Sequence, residues 1–342
     1  MLKKLSVYLA FSLLLATAAS AQVQYDAGAF GGQPVPEQAQ AYTCKVLTPS
    51  AETAIDVLLQ GELGAQVPYY YKGQGWENET ERIAVGEGYV MYTRGYGREI
   101  PGILLIPNGF LQLKSHPLPT GELAFMPAED AASEVEKILQ DIGIPCKATH
   151  IFALDKETLQ SGYDRSLNNA MQHADSENSV EDLMGIRTTS EWTEEHESYF
   201  MFLQPTYHDI PVSMSGYYST IQRAQMNGTY IYAIYSKDGL INLYAYNLFE
   251  ILSATEPQPL IDLSGAKAIV DSFYTIFDMD VKYIRLEYLR DPIANYSPDE
   301  QFNLVPHWVF TTRTDFVDEN GTVLFEDVSD SIIIDAFSGK EK

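Results

Sequence analysis

The six histidines are the side chains best suited to acid–base or metal chemistry: His116, His150, His173, His196, His208 and His307. No His-Glu-x-x-His pair occurs, so two ligands do not fall on one helix face. Glu194-Glu195-His196-Glu197 is the densest cluster, but its order is wrong for a helical zinc pair, and it reads as a solvated charge run beside a strand. His208-Asp209 could serve as base and orienter only with a nucleophile close in space; as local neighbours they read as surface chemistry. Cys146 precedes His150 by four residues, a spacing with no mechanical logic for a thiolate–imidazole pair. The chain has no Gly-x-Ser-x-Gly elbow, phosphate-binding glycine loop or dinucleotide fingerprint, and Ser213-Met214-Ser215-Gly216 resembles none of them. Its 47 acids offer many carboxylate pairs for glycoside chemistry, and no feature selects one. Between Asp315 and Glu326 a calcium-loop reading fails, because alignment on Gly321 puts Phe316 at the first ligand position; a turn at Asn320-Gly321 explains the same residues. Asn78-Glu79-Thr80 and Asn227-Gly228-Thr229 match the glycosylation sequon, the second more simply a turn. The sequence therefore nominates no catalytic, cofactor-binding or metal-binding residue.

Charge narrows the partners. The 342 residues carry 47 acids against 22 Lys and Arg, a net charge of -25. Nucleic acid and anionic membrane surfaces both require neutralising cations, so neither is an expected partner. The chain opens with Lys3 and Lys4, a short apolar run from Val7 to Ala16, and Ala19-Ser20-Ala21. That pattern predicts a signal peptide over 1–21, with Gln22 first in the mature chain and an extracytoplasmic, bacterial location. No second long apolar stretch follows, so no membrane span is expected after its removal. Export permits a disulfide between Cys44 and Cys146; the alternative is two free, buried thiols.

Elements follow from periodicity. Residues 22–48 lack it and read as a flexible leader. Ser50 caps a short helix from Ala51 to Gln60. From Val67 to Lys114 the pattern is strand-like: Ile83 to Val85 and Tyr89 to Tyr92 flank Gly86–Gly88, and Ile103 to Ile106 meets Phe110 to Leu113 through Pro107-Asn108-Gly109. Ala132, Val135, Ile138, Leu139 and Ile142 predict a helix from Ala128, ended by Gly143 and Pro145. A strand follows at Ala148–Leu154, and the polar residues 155–195 read as either a long surface insertion or a few short helical turns. Strands are expected at Tyr199–Leu203, Tyr230–Tyr235 and Leu240–Tyr246, the last two joined by a tight hairpin at Asp238-Gly239. Ser264 caps a helix to about Phe277, followed by strands at Tyr283–Leu289, Leu304–Thr311, Val323–Phe325 and Ile332–Phe337.

Helix, strand, strand, strand thus occurs twice. The expected class is α+β, with antiparallel sheets that each carry a helix on one face. The expected divisions are the signal peptide, the leader, an N-terminal β-rich region over 49–125, a first helix-on-sheet unit over 126–256, and a C-terminal unit over 257–342.

Leu304-Val305-Pro306-His307-Trp308-Val309-Phe310 and Ile333-Ile334-Asp335-Ala336-Phe337-Ser338-Gly339 resemble the two closing strands of PepSY-type domains. Paired units behind an export signal also resemble extracytoplasmic regulators of the YycH/YycI type, and uncharacterised exported proteins of anaerobic Gram-positive bacteria. The chain departs from many of these by lacking a lipid-bearing Cys and a long anchoring helix. The resemblance implies a peptidase-inhibiting, chaperoning or regulatory module that binds an extracellular protein or peptide without catalysis. The alternative is a secreted hydrolase of wall polymer or glycan. Physically, Pro306 suits an edge or bulge, Asp335 a cap on the last turn, and Gly339 a positive-φ exit. Leu304, Pro306, Trp308 and Phe310 share one strand parity and should face the helix that carries Ile269, Phe273 and Ile276, with His307 on the opposite face.

Overall fold

The structure, a computed structural model, describes residues 23–59, 63–68, 73–104, 118–174, 179, 189, 191–214, 217–219, 224–226, 228–273, 279–291, 301–317 and 323–341. The expected signal peptide, the hairpin at Pro107-Asn108-Gly109 and the turn at Asn320-Gly321 lie outside these residues. Among the described residues twenty strands follow in chain order: β1 (Val23–Tyr25), β2 (Gln38–Ala39), β3 (Tyr42–Val46), β4 (Ala65–Pro68), β5 (Gln74–Glu77), β6 (Glu81–Gly86), β7 (Tyr89–Arg94), β8 (Lys147–Leu154), β9 (Ser198–Gln204) and β10 (Thr206–Tyr207). Then come β11 (Ile210–Pro211), β12 (Tyr217–Ser219), β13 (Ala224–Met226), β14 (Tyr230–Ser236), β15 (Gly239–Tyr246), β16 (Phe249–Ala254), β17 (Gln258–Pro259), β18 (Met279–Asp291), β19 (Phe302–Val317) and β20 (Val323–Asp335). The class is α+β, with several antiparallel sheets and interspersed helices.

The larger sheet has eight antiparallel strands in the order β4-β5-β6-β7-β15-β14-β9-β8. Its hairpins close at Glu87-Gly88 and Lys237-Asp238, where Gly88 and Gly239 take φ of 78° and 95°. The strands on either side of residue 126 are thus one sheet: Tyr89 to Thr93 on β7 pair with Asn242 to Tyr246 on β15. Element order could not show this, because alternation within a strand does not say which edges meet.

One face of this sheet is covered by the Ala128–Asp141 helix. Ala131, Ala132, Val135 and Leu139 pack on Ile83, Tyr92, Met201, Leu203, Ile231 and Ala233. Glu122 accepts the Ala128 N–H at 2.6 Å, Glu129 and Asp130 complement the positive helix end, and Gly143 leaves it at φ 83°. The Ala51–Leu58 helix joins the same core, its Thr53 N–H bonded to Ser50 Oγ at 3.2 Å.

Part of the stretch expected as a surface insertion or a few short helical turns is an eighteen-residue helix, Lys156–His173, capped by Asp155 accepting from Thr158 N–H at 2.8 Å. Its buried residues, Leu159, Gly162, Ser166 and Ala170, keep helical spacing. Three of the four are small or polar, so hydrophobic periodicity does not reveal them. A Cβ on Gly162 would stand 3.1 Å from the Ile103 carbonyl, a close approach that favours glycine. Ile103 itself closes the short Ile100–Ile103 helix, where a strand was expected to begin.

The second sheet has the order β1-β18-β19-β3-β16, with β20 also on β19. Across the β18-β19-β20 meander lies the Leu263–Phe273 helix, whose Ala266 and Val270 meet Leu304, Trp308, Phe310, Ile332 and Ile334. The helix begins two residues earlier than expected. Asp262, not Ser264, caps it, accepting from Gly265 N–H at 2.7 Å.

The stretch read as a flexible leader is built into this sheet. β1 runs parallel to the start of β18, and β3 lies between β19 and β16. Tyr42, Cys44, Ala29 and Ala39 are buried in its core, irregularly spaced because they fill gaps rather than one face. The two sheets are tied by main-chain bonds: Gly88 N–H to Leu47 carbonyl at 2.8 Å, Leu248 N–H to Gly88 carbonyl at 2.9 Å, and Leu47 N–H to Leu248 carbonyl at 3.1 Å.

Candidate functional site

The face of the larger sheet opposite the Ala128–Asp141 helix carries an aromatic row. Pairing across β8, β9, β14 and β15 puts Phe152, Phe200, Phe202, Tyr230, Tyr232, Tyr244 and Tyr246 side by side. Tyr232 and Tyr244 stack at 5.4 Å and 11°. Tyr244 and Tyr246 follow at 6.2 Å, Phe202 and Tyr230 at 5.9 Å, and Phe152 and Phe202 meet edge to face at 6.4 Å. Phe200 and Phe202 are fully buried, under a core that includes Leu159 and Trp192, while Phe152 and the four tyrosines are half-buried. Burial, reinforced by Tyr244, pushes the Tyr230 hydroxyl up to about 12, and burial raises Tyr232 as well. Both stay neutral donors at any physiological pH.

Met91 lies opposite Tyr244 and leads from the row into a pocket of about 520 Å³. Glu77, Glu79 and Arg98 are exposed on its wall, and Arg82 pairs with Glu77 at 3.8 Å. Glu81 is buried beneath and accepts the Tyr92 hydroxyl at 2.7 Å, with burial and this carboxylate together raising the phenol's pKa. Asn78 of the first sequon also lines the pocket, its Oδ1 taking the N–H groups of Thr80 at 2.9 Å and Glu81 at 2.7 Å. The site combines apolar faces, neutral hydroxyls and separated charges, a chemistry suited to holding a ligand.

The residues singled out from sequence lie elsewhere or have structural partners. His196 closes a short helical turn with Thr193, whose N–H donates to Nδ1 at 3.1 Å, and its ring sits between Tyr96 and Trp192. Glu194 and Glu195 pair with Lys156 and Lys237. His208 and Asp209 form the turn between β10 and β11, both at positive φ. His307 is fully buried, between Glu287 on β18 and Asp335 on β20, with Nδ1 2.8 Å from the Val305 carbonyl. Among the described residues no group of three or more His, Cys, Asp or Glu could hold a metal ion.

Trp308 faces the Leu263–Phe273 helix, donating Nε1–H to the Ile261 carbonyl at 2.8 Å, with Leu304 and Phe310 in the same core. Pro306, also buried, lies within β19, its carbonyl bonded to Ala336 N–H at 3.0 Å. Asp335 Oδ1 accepts from the N–H groups of Phe337 at 3.0 Å and Ser338 at 2.8 Å, and Gly339 exits at φ 70°. Cys44 and Cys146 are free buried thiols, Cys44 on β3 and Cys146 just before β8.

Among the described residues the architecture is that of an α+β protein with two large sheets, three two-stranded ones and an aromatic face. No family model and no curated protein matches the chain. Its fold is similar to that of an uncharacterized protein from Eubacterium rectale ATCC 33656, with a TM-score of 0.64 and 15% identity over 95% of this chain and 91% of that one. At that identity the likeness carries the fold alone. Among the described residues no helix is long and apolar enough to cross a membrane.

Proposed function

We propose that the protein is an exported, non-enzymatic module that holds a polypeptide bearing basic side chains against its aromatic row. The observation that carries this reading is the run of rings from Phe152 to Tyr246, which opens through Met91 onto a pocket with exposed Glu77 and Glu79. Half-buried rings supply apolar and cation–π contacts, and a chain of net charge -25 favours a cationic ligand over an anionic one. The resemblance of the Pro306–Trp308 and Asp335–Gly339 segments to PepSY-type closing strands supports the same class of reading, a binding module without catalysis. Calorimetric titration with lysine- and arginine-rich peptides tests the proposal. Tyr244→Ala should weaken binding about tenfold or more, the loss of roughly 1.4 kcal/mol of contact. Wild-type affinity in that variant, or no binding to wild type, would sink it.

The three glutamates at the pocket motivate a second reading, a secreted hydrolase of wall polymer or glycan. In that case the protein releases reducing ends from isolated wall polymer, and Glu81→Gln abolishes the release. No release by wild type removes this reading.

A further inference from the structure

We propose that strand β16 is an open sheet edge that takes up an extended, basic segment of a partner polypeptide by strand addition. This surface is distinct from the aromatic row and shares with that reading only the class of ligand.

β16 ends the order of its sheet and is paired along one side alone, to β3. Its outer side therefore presents the alternating N–H and C=O groups of a strand without a neighbour among the described residues. Its exposed side chains include two large apolar ones, Ile251 at 36% and Leu252 at 44% accessible, beside exposed Ser253 and Ala254. Phe249 starts the core-facing row, its ring 6.4 Å from Tyr207 and 6.0 Å from Phe302. Ile251 continues that row opposite buried Cys44, so the core of this sheet runs out to its edge without a strand to cover it.

Natural edges are guarded by lysine, proline or a covering segment. Here the prolines come later, Pro257 and Pro259, where β17 pairs with β2. The single charge within β16, Glu250, is bound to Lys45 at 2.7 Å. A one-residue offset at Leu252 bends the inner pairing and leaves this side chain outward at mid-strand, where an added strand could cover it. Charge selects the occupant. Glu250, Glu256 and Glu37 flank the ribbon against Lys45 and Arg290, whose guanidinium lies 5.9 Å from the Phe249 ring, and the net charge of -25 on the whole chain favours a basic segment and repels a second copy.

The probe is a fluorescein-labelled hexapeptide of alternating lysine and valine, with a version N-methylated at alternate amides as control. Anisotropy titration of the full mature chain should show binding that weakens with salt. The N-methylated peptide should bind at least about tenfold more weakly, since it cannot complete the ladder. Leu252→Lys should lower affinity by a similar factor with an unchanged melting temperature. Equal affinity for both peptides, or unchanged binding by Leu252→Lys, overturns the proposal. Loss of binding in Tyr244→Ala alone places the peptide on the aromatic row and also overturns it. So does a concentration-dependent dimer, seen by sedimentation, that Leu252→Lys abolishes, because the occupant is then a second copy.

Discussion

Gln33 pairs with the main chain of Leu286 in both directions: Nε2 donates to the Leu286 carbonyl at 2.8 Å, and Oε1 accepts the Leu286 N–H at 3.2 Å. A side-chain amide thereby supplies the two bonds that a neighbouring strand would give to β18. Just beyond it, Ile284 N–H bonds to the Ala29 carbonyl at 2.8 Å. Gln33→Ala should cost about 1–3 kcal/mol in urea denaturation, because it leaves both groups of a buried residue without their partner. Gln33→Glu keeps the acceptor and loses the donor, and should fall between. Full stability in Gln33→Ala would mean that water replaces the amide at no cost.

Trp308 is fully buried between Phe30, at 5.9 Å, and the Leu263–Phe273 helix. Trp308→Ala leaves a large cavity and removes the donor from the Ile261 carbonyl. A loss of roughly 3–5 kcal/mol is expected, with the second sheet losing amide-exchange protection before the first. Uniform loss across both sheets would show that the main-chain tie at Leu47, Gly88 and Leu248 makes them one cooperative unit.

Cys44 and Cys146 have thiols pushed up to about 12 by burial. At pH 8 neither is a thiolate, so iodoacetamide should label neither in the native protein and both after unfolding in denaturant. Mass mapping without reductant should count two free thiols. A bridged Cys44–Cys146 peptide would show that oxidation draws the two together.

Asp335 has its pKa lowered. Burial alone would raise it, but the N–H and hydroxyl of Ser338, the charge of His307 and the N–H of Phe337 outweigh that. A carboxylate held below its unfolded value adds stability that is present above that value and is lost as pH falls through the folded one. Acid unfolding should therefore steepen below about pH 4, and Asp335→Asn should lower stability at pH 7 and flatten that part of the profile. An unchanged slope in the variant would assign the acid sensitivity to other carboxylates.

The local features were legible in the sequence wherever one residue type does one job. Gly88 and Gly239 mark hairpins because the turns need positive φ, the apolar stripe from Ala132 to Ile142 marks a buried helix face, and strand parity separates Trp308 from His307. The Lys156–His173 helix was hidden because its contact face is Gly162, Ser166 and Ala170, whose value lies in closeness to Ile103 and not in apolarity. The candidate site was legible only as composition. Tyr230, Tyr232, Tyr244 and Tyr246 read as strand residues, and the register of β14 on β15 and of β9 on β14 turned them, with Phe152 and Phe202, into one row. Which edges pair, β7 with β15 and β3 between β19 and β16, follows from long-range packing and main-chain bonding. A strand's own alternation fixes its faces but leaves its neighbour open, so only the tertiary structure decided where this protein has an aromatic surface and where its second sheet stops.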